Sequence, residues 1–373
     1  MSKVDVHNAF VKQTMLTCIG NKRKLVSHIE DIVDVVCEKE NKEKLNIVDG
    51  FAGSTVVSRA LSSKASNIYT NDLELYSYLM AKCYLETPTK STQTKVRKHI
   101  ENMNVIAEKG PYISTGVMAK LYAPKDTYDI KEGERCFYTR ENALIIDTLR
   151  KYIEDHVEKS LYPYCVVPLL NKASINTNTS GVFKGFHKDN NIGKFGGKKE
   201  VNLERIMKPI RLDMPVWSDN NFTAHCSQKD INKFLEDDLP EEPQVDLIYL
   251  DPPYNQHPYG SNYFMLNVIA ENKEPGEVSR VSGIPKNWHK SNYNYYASAV
   301  NSMRDLLDKS TRKSKYVILS YNNEGIIKPK DWEDIFKEYK VDKHEIKYNA
   351  YRGSRNLSGR SDKVVEIMYL ITR

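Results

Sequence analysis

The sequence predicts a doubly wound α/β fold, on three observations. Apolar runs at 45–48, 245–250 and 316–320 have strand length and are bounded by polar residues. Helix-period segments separate such runs, as between 24 and 37, where apolar residues fall at 25, 26, 29, 32, 33, 35 and 36. Each run leads into residues typical of functional loops, and open α/β sheets bind ligands outside the carboxyl ends of their strands.

The first run opens into Asp49-Gly50-Phe51-Ala52-Gly53-Ser54-Thr55-Val56-Val57, a turn of small residues followed by the start of a helix. Small residues let backbone approach a nucleotide-like ligand closely. The turn has neither the GxGxxG spacing of a dinucleotide fingerprint nor the GK[ST] ending of a P-loop, so hydride transfer and nucleotide hydrolysis lose their main support. A further strand ends at Ile68-Tyr69-Thr70-Asn71-Asp72, and Asp72, 23 positions beyond Asp49, stands where a carboxylate can accept ribose hydroxyls. As isolated residues Asp49 and Asp72 would read as caps or turn formers; their constellation points to a nucleotide-like ligand.

Between about 96 and 221 the texture changes. A helix-like stretch at 140–158 is followed at 171–199 by a segment rich in Asn, Gly, Lys and Thr with no sustained apolar periodicity. We expect an inserted module with a long polar loop, which divides the chain into 1–95, 96–221 and 222–373. Within 184–211 there are eight Lys or Arg (184, 188, 194, 198, 199, 205, 208, 211) against three acids, interleaved with Phe183, Phe186, His187 and Phe195. Such a run is a solvated face or a track for phosphates.

The second apolar run ends in Asp251-Pro252-Pro253-Tyr254. A Pro-Pro pair cannot continue a sheet, so it turns the chain rigidly at the strand end and holds Asp251 and Tyr254 in one cleft. An amino nitrogen conjugated to a base is a poor nucleophile. A carboxylate and a carbonyl that accept its two hydrogens shift electron density back onto nitrogen, and Asp251 and the Pro252 carbonyl are such acceptors. The ring of Tyr254 can stack on a base flipped from a duplex. The bland alternative is a Pro-rich turn capped by an aspartate. Downstream, Tyr259 and Tyr263 either close over that base or pack against the next helix.

Fifty-five Lys and Arg against 49 Asp and Glu give a formal charge of +6, compatible with a polyanionic partner but common elsewhere. The six cysteines (18, 37, 83, 136, 165, 226) show no CxxC pair and no His/Cys ligand spacing, so we expect reduced thiols and no metal. No apolar stretch reaches the roughly 18 residues of a membrane span, and the first residues lack an apolar signal segment. A cytoplasmic, soluble protein is expected.

On these motifs the chain resembles the Dam-like, alpha-class adenine-specific DNA methyltransferases, whose motif order places a target recognition domain between the cofactor motifs and the DPPY motif. Thr17-Cys18-Ile19-Gly20-Asn21-Lys22 resembles the amino-terminal cofactor motif, with Gly20 and Lys22 near the methionine end of the cofactor. The stretch 48–57 resembles the FxGxG motif, bringing in Asp49, Phe51 and Gly53; Asp72 resembles the ribose-binding acid, and Asp230 the acid that contacts the cofactor's adenine. The segments 320–325 and 364–371 resemble later motifs and the last strand. Thr55 replaces the second Gly of FxGxG, and Cys18 stands where relatives carry an aromatic.

The resemblance implies a Rossmann-like methyltransferase sheet with an inserted target recognition domain. It implies methyl transfer from S-adenosyl-L-methionine to N6 of adenine in a short double-stranded DNA target, by base flipping and direct displacement at the loop Asp251, Pro252, Pro253 and Tyr254. Lys184, Lys188, Lys198, Lys199 and Arg205 would contact DNA phosphates, and Asn178, with Asn176 and Thr179, would read base edges. A cognate restriction endonuclease is a companion that the resemblance admits. The competing readings are an RNA or cytosine-N4 amino methyltransferase, a protein-glutamine enzyme, or a non-catalytic nucleic-acid-binding protein of the same fold. Asp at the first position of the loop and the basic insert favour adenine in DNA.

Overall fold

In chain order the strands are β1 (Leu45–Asp49), β2 (Ala65–Asn71), β3 (Lys188–Asp189), β4 (Ile192–Gly193), β5 (Thr223–Ser227), β6 (Val245–Leu250), β7 (Ser314–Asn322), β8 (Lys340–Asn349) and β9 (Lys363–Thr372). The structure is a computed structural model that describes residues 9–13, 16, 22–219, 221–239, 244–349 and 363–373. Seven strands make the main sheet, in the order β5-β2-β1-β6-β7-β9-β8. The strands from β5 to β7 in that order run parallel, and β9 lies antiparallel between β7 and β8. The expected strands are thus β1, β6 and β7, all in the middle of the sheet. Every residue of β6 is buried, which is why its sequence is a continuous apolar run and not an alternating one.

The helices in chain order are α1 (Val26–Glu40), α2 (Val56–Leu61), α3 (Leu75–Leu85), α4 (Lys90–Lys109), α5 (Val117–Leu121), α6 (Arg140–His156), α7 (Tyr162–Ile175), α8 (Leu203–Met207), α9 (Ile231–Asp237), α10 (Tyr259–Asn262), α11 (Phe264–Glu271), α12 (Tyr296–Lys313) and α13 (Pro329–Ile335). Side chains alternate across a strand, so β6 sends Leu247 and Tyr249 to one face and Ile248 and Leu250 to the other. On the first face they meet Ile29, Ile32, Val33 and Val36 of α1 with Val56 and Val57 of α2. On the second they meet α9, α12 and α13 through Ile231, Phe234, Leu306, Leu307 and Trp332. The expected amphipathic segment 24–37 is α1, which starts two residues later because Lys22–Lys24 form a 3-10 turn; Val35 falls on its exposed side.

The chain leaves β1 towards β2 on one side and reaches β6 on the other. This is a topological switch point, and the loops after β1 and β6 open on the same edge of the sheet. Asp49 lies opposite Tyr249 in register, and Gly50 N donates to Tyr249 O at 3.0 Å, so the two strand-end loops start side by side.

Residues between β2 and β5 form a helical unit around α4, α6 and α7, but its core is continuous with the sheet domain. Tyr76, Leu79, Met80 and Tyr84 of α3 and Phe264, Met265, Leu266, Val268, Ile269 and Ala270 of α11 belong to the same apolar cluster as Ile100, Ile145, Leu149 and Val166. The division expected at 95/96 falls inside α4, a continuous helix from Lys90. The segment 171–199 is more ordered than its polar composition suggests: α7 runs to Ile175, β3 and β4 form a short antiparallel ribbon, and Phe183 and Phe195 are buried. No helix among the described residues is long and apolar enough to cross a membrane.

Candidate active site

The loop after β1 is shaped by two left-handed residues. Gly53 sits at φ +50°, where glycine carries no Cβ penalty, and Thr55 sits buried at φ +62°. A β-branched residue there is a conformational outlier. Thr55 therefore preserves the backbone that a glycine would adopt, in the position where the sequence departs from FxGxG. Asp49, at the end of β1, is 2% exposed; Oδ2 accepts from Ser58 Oγ at 2.5 Å, and Oδ1 has no hydrogen-bond partner. Burial raises its carboxyl to about 7, against the Ser58 bond, and the neighbouring Asp251 and Asp72 add to the rise.

Asp72 follows β2 and accepts from Gly53 N at 2.8 Å and Glu74 N at 2.9 Å, which ties the two strand-end loops together. Burial raises it to about 6 in spite of those bonds. Asp230 caps α9, accepting from Asn232 N at 3.1 Å and Lys233 N at 3.4 Å. Phe51 is half-buried and meets Tyr293 edge-on, with ring centroids 5.5 Å apart.

Asp251 leaves β6 into the Pro-Pro turn. Its Oδ1 accepts from Lys22 Nζ at 2.7 Å, and the same ammonium lies 3.1 Å from Glu366 Oε1 on β9. Ser320 Oγ donates to Glu366 Oε1 at 2.6 Å and Asn322 Nδ2 to Oε2 at 3.5 Å, both from β7. Burial disfavours the Lys22 ammonium, but Asp251 and Glu366 outweigh burial and hold it protonated, well above the ordinary lysine value. Burial pushes Asp251 up to about 6, with Lys22 opposing and Glu366 reinforcing the rise. Tyr254 turns back onto Tyr321, edge-on at 6.3 Å, and its carbonyl accepts from Ile326 N at 2.8 Å.

Of the expected site residues, Lys22, Asp49, Phe51, Gly53, Asp72, Asp230, Asp251 and Pro253 line one cleft, whereas Pro252 and Tyr254 are not part of its lining. Gly20 lies outside the described residues. The cleft also contains residues that sequence reasoning missed. Tyr249 is 1% exposed, lines the cleft and has an unpartnered hydroxyl. Glu74 is buried beside Asp72 and lies 3.7 Å from His289, whose segment crosses so close to Gly260 that a Cβ there would sit 2.6 Å from His289 O. Ser291, Tyr293 and Asn294 continue that wall. Of the two downstream tyrosines, Tyr259 lines the cleft, whereas Tyr263 is buried in the α3–α11 core.

The insert corrects two expected DNA contacts. Asn178 is fully buried: Nδ2 donates to Cys136 O at 2.8 Å and Lys194 O at 3.2 Å, and Oδ1 accepts from Gly196 N at 3.0 Å. A carboxamide so engaged fixes the base of the β3–β4 ribbon and is closed to a base edge. Arg205 is half-buried, and its Nη1 donates to the carbonyls of Ile175 and Thr177, locking α8 to the end of α7. Asn176 is likewise buried and donates to Lys208 O at 2.7 Å, and Thr179 is buried. Lys188, Lys198 and Lys199 are exposed and Lys184 is half-buried. The five described cysteines are free thiols.

A family profile described as D12 class N6 adenine-specific DNA methyltransferase matches residues 19–335. The modification methylase StsI of Streptococcus sanguinis is 29% identical over 378 residues, covering 95% of this chain and 51% of that protein. The type II methyltransferase M.CviAII of Paramecium bursaria Chlorella virus 1 is 26% identical, over 95% of this chain and 97% of its own. The type II methyltransferase M.NlaIII of Neisseria lactamica is 24% identical, over 95% and 98%. The chain thus spans about half the length of the first relative and nearly all of the other two.

Proposed function

Since the chain belongs to the D12 class of N6 adenine-specific DNA methyltransferases, we propose that it transfers a methyl group from S-adenosylmethionine to the N6 amino group of adenine in a short double-stranded DNA target. The observation that carries this reading is the Asp251 carboxylate, held by Lys22 in a cleft that also presents the unpartnered Oδ1 of Asp49. The donor set suits that methyl donor: Asp49, Asp72 and Asp230 offer acidic acceptors for an ammonium, a ribose and a base amino group, and Gly53 leaves room for close approach. When bound, the donor supplies an electrophilic methyl on a sulfonium.

The residues of this chain then do four things. Asp251 and the Pro252 carbonyl accept the two amino hydrogens and make nitrogen more nucleophilic. Lys22 keeps Asp251 ionised against burial. Tyr254 stacks on the extruded base. Asp251 takes the proton that nitrogen sheds once it carries the methyl, which its raised pKa favours. No protein nucleophile enters, in keeping with direct displacement.

In this reading the unit expected at 96–221 is the target recognition domain, with Lys184, Lys188, Lys198 and Lys199 on phosphates. Double-stranded DNA is the partner, a cognate restriction endonuclease is the companion, and the cytoplasm is the location. The test is a single-turnover assay with tritiated donor on DNA that lacks adenine methylation, with the labelled nucleoside identified. N6-methyladenine from the parent, and a loss of roughly 100- to 1000-fold in Asp251→Ala with donor binding retained, are expected. Label on cytosine, or label only on RNA, would overturn the assignment.

A further inference from the structure

We propose that Glu366 is a positioning residue for the Asp251 carboxylate, acting through Lys22 from the last strand of the sheet. Glu366 is 1% exposed and sits in β9, paired with Asn322 on one side and Ile346 on the other. It is the single acid in the otherwise apolar or polar-neutral stretch 364–372. A buried carboxylate is costly unless it is paired and hydrogen-bonded, and here Ser320 Oγ at 2.6 Å and Lys22 Nζ at 3.1 Å meet one of its oxygens. Packing alone does not require it, because an apolar set of the same volume commonly replaces a buried ionic cluster without loss of stability. Chemistry at the end of β6 supplies the missing reason.

Lys22 is shared by two carboxylates, at 2.7 Å and 3.1 Å. Alone with Lys22, Asp251 would form a neutral pair with little acceptor strength left over. With Glu366 on the other side, the triad of described residues carries one excess negative charge, and Asp251 Oδ2, which makes no hydrogen bond to a described residue, is where that charge meets the cleft. This inference rests on the methyl-transfer reading, in which the amino nitrogen gains positive charge as it takes the methyl. A preorganised negative charge facing it is worth most in the transition state. Glu366 touches neither reacting atom; it sets how Lys22 divides itself, and thereby how Asp251 points and titrates.

Among the described residues, the groups that face Asp251 are Lys22, Glu366, Asp49, Tyr249, Tyr254 and Tyr259. Burial raises all three tyrosines, so they stay protonated in the working range. Asp49 titrates nearby, at about 7, but it does so in parent and variant alike. Glu366→Gln keeps the shape and removes the charge. Losing a like charge stabilises ionised Asp251, so the acidic limb of the rate profile moves to lower pH.

The experiment measures single-turnover adenine methylation by the full chain from about pH 5 to pH 9, together with KM for donor and DNA. Glu366→Gln should lower the maximal rate roughly tenfold, less than direct loss of an acceptor because it acts at one remove, leave both KM values within about twofold, and shift the acidic limb downward. Glu366→Asp, which keeps the charge, should restore the limb and part of the rate. A rate and limb equal to the parent's, or a fall in folded fraction with the limb unmoved, overturns the inference. Should Glu366→Gln not fold, Ser320→Ala, which keeps the Glu366 charge but removes its hydroxyl donor, should draw Lys22 towards Glu366 and move the acidic limb upward, and an unchanged profile there also overturns it. A parent that methylates no adenine refutes the underlying reading; an active parent with an unaltered Glu366→Gln refutes this inference alone.

Discussion

Lys22→Met removes the cation between two buried carboxylates while keeping a side chain of similar length. Lys22 is 3% exposed and lies within 3.1 Å of both Asp251 and Glu366. Breaking a buried ion pair from one side costs about 3–5 kcal/mol, and this cost should appear in full at about pH 8, where both acids would otherwise be ionised. The Asp251 carboxyl, already raised to about 6 by burial, loses its main opposing charge and rises further. An acid whose folded pKa exceeds its unfolded value binds an extra proton in the folded state between the two values, so stability falls as pH rises through that window. The slope is roughly 1.4 kcal/mol per pH unit for one proton. Moving from about pH 8 to about pH 6 should therefore recover up to about 2.7 kcal/mol of the penalty. Lys22 itself stays protonated in both states across this range and adds no slope. Urea unfolding of parent and variant at the two pH values measures the difference. A penalty that is the same at both, or one below about 1 kcal/mol at the higher, would refute a charge-sharing triad.

Two further outcomes follow from the site and the insert. Asp72→Ala should weaken S-adenosylmethionine binding about tenfold to a hundredfold, the loss expected for buried hydrogen bonds to a charged group, and calorimetry that shows parental affinity would remove Asp72 from the donor site. Lys198→Gln combined with Lys199→Gln should weaken DNA binding for all sequences alike and lower the log–log salt slope by about 0.9 for each phosphate no longer neutralised; titrations at several salt concentrations that return the parental slope would make those lysines a solvated surface.

The strand-end acids were legible because their signals are local. Asp49, Asp72 and Asp251 each close an apolar run and open a turn, and the sheet brings those three ends to one edge. Lys22 was legible only through its motif, and its partner Glu366 was not, because the two lie at opposite ends of the chain and meet only once β9 inserts between β7 and β8. A signal existed: one acid in an otherwise uncharged strand needs a buried counter-charge. Tyr249 was hidden for the reverse reason, since an aromatic in a β-rich run reads as core. Asn178 shows how composition misleads. A stretch of Asn and Thr suggests an exposed loop, yet long-range bonds to Cys136, Lys194 and Gly196 satisfy its carboxamide and make burial favourable. Thr55 is the opposite case, a changed residue with an unchanged backbone.

On the proposed function, the distribution of charge favours an extruded base as the substrate. Asp49, Asp72, Glu74, Asp230 and Asp251 gather in the cleft against the buried Lys22, the partly exposed Lys229 and His289, which Glu74 favours in its charged form. That excess of negative charge attracts a cationic methyl donor and repels a phosphate backbone. On that proposal, a cleft so acidic disfavours entry of a DNA strand as a polyanion. The strand can be held outside, where Lys188, Lys198 and Lys199 stand exposed, while a single uncharged base crosses the gap. On the proposed function the acids would serve both substrates, drawing in a cationic methyl donor and admitting from the nucleic acid only the part that carries no charge. On the proposed function, stacking by Tyr254 would then act beside the hydrogen bonds accepted by Asp251 and the Pro252 carbonyl in retaining the base.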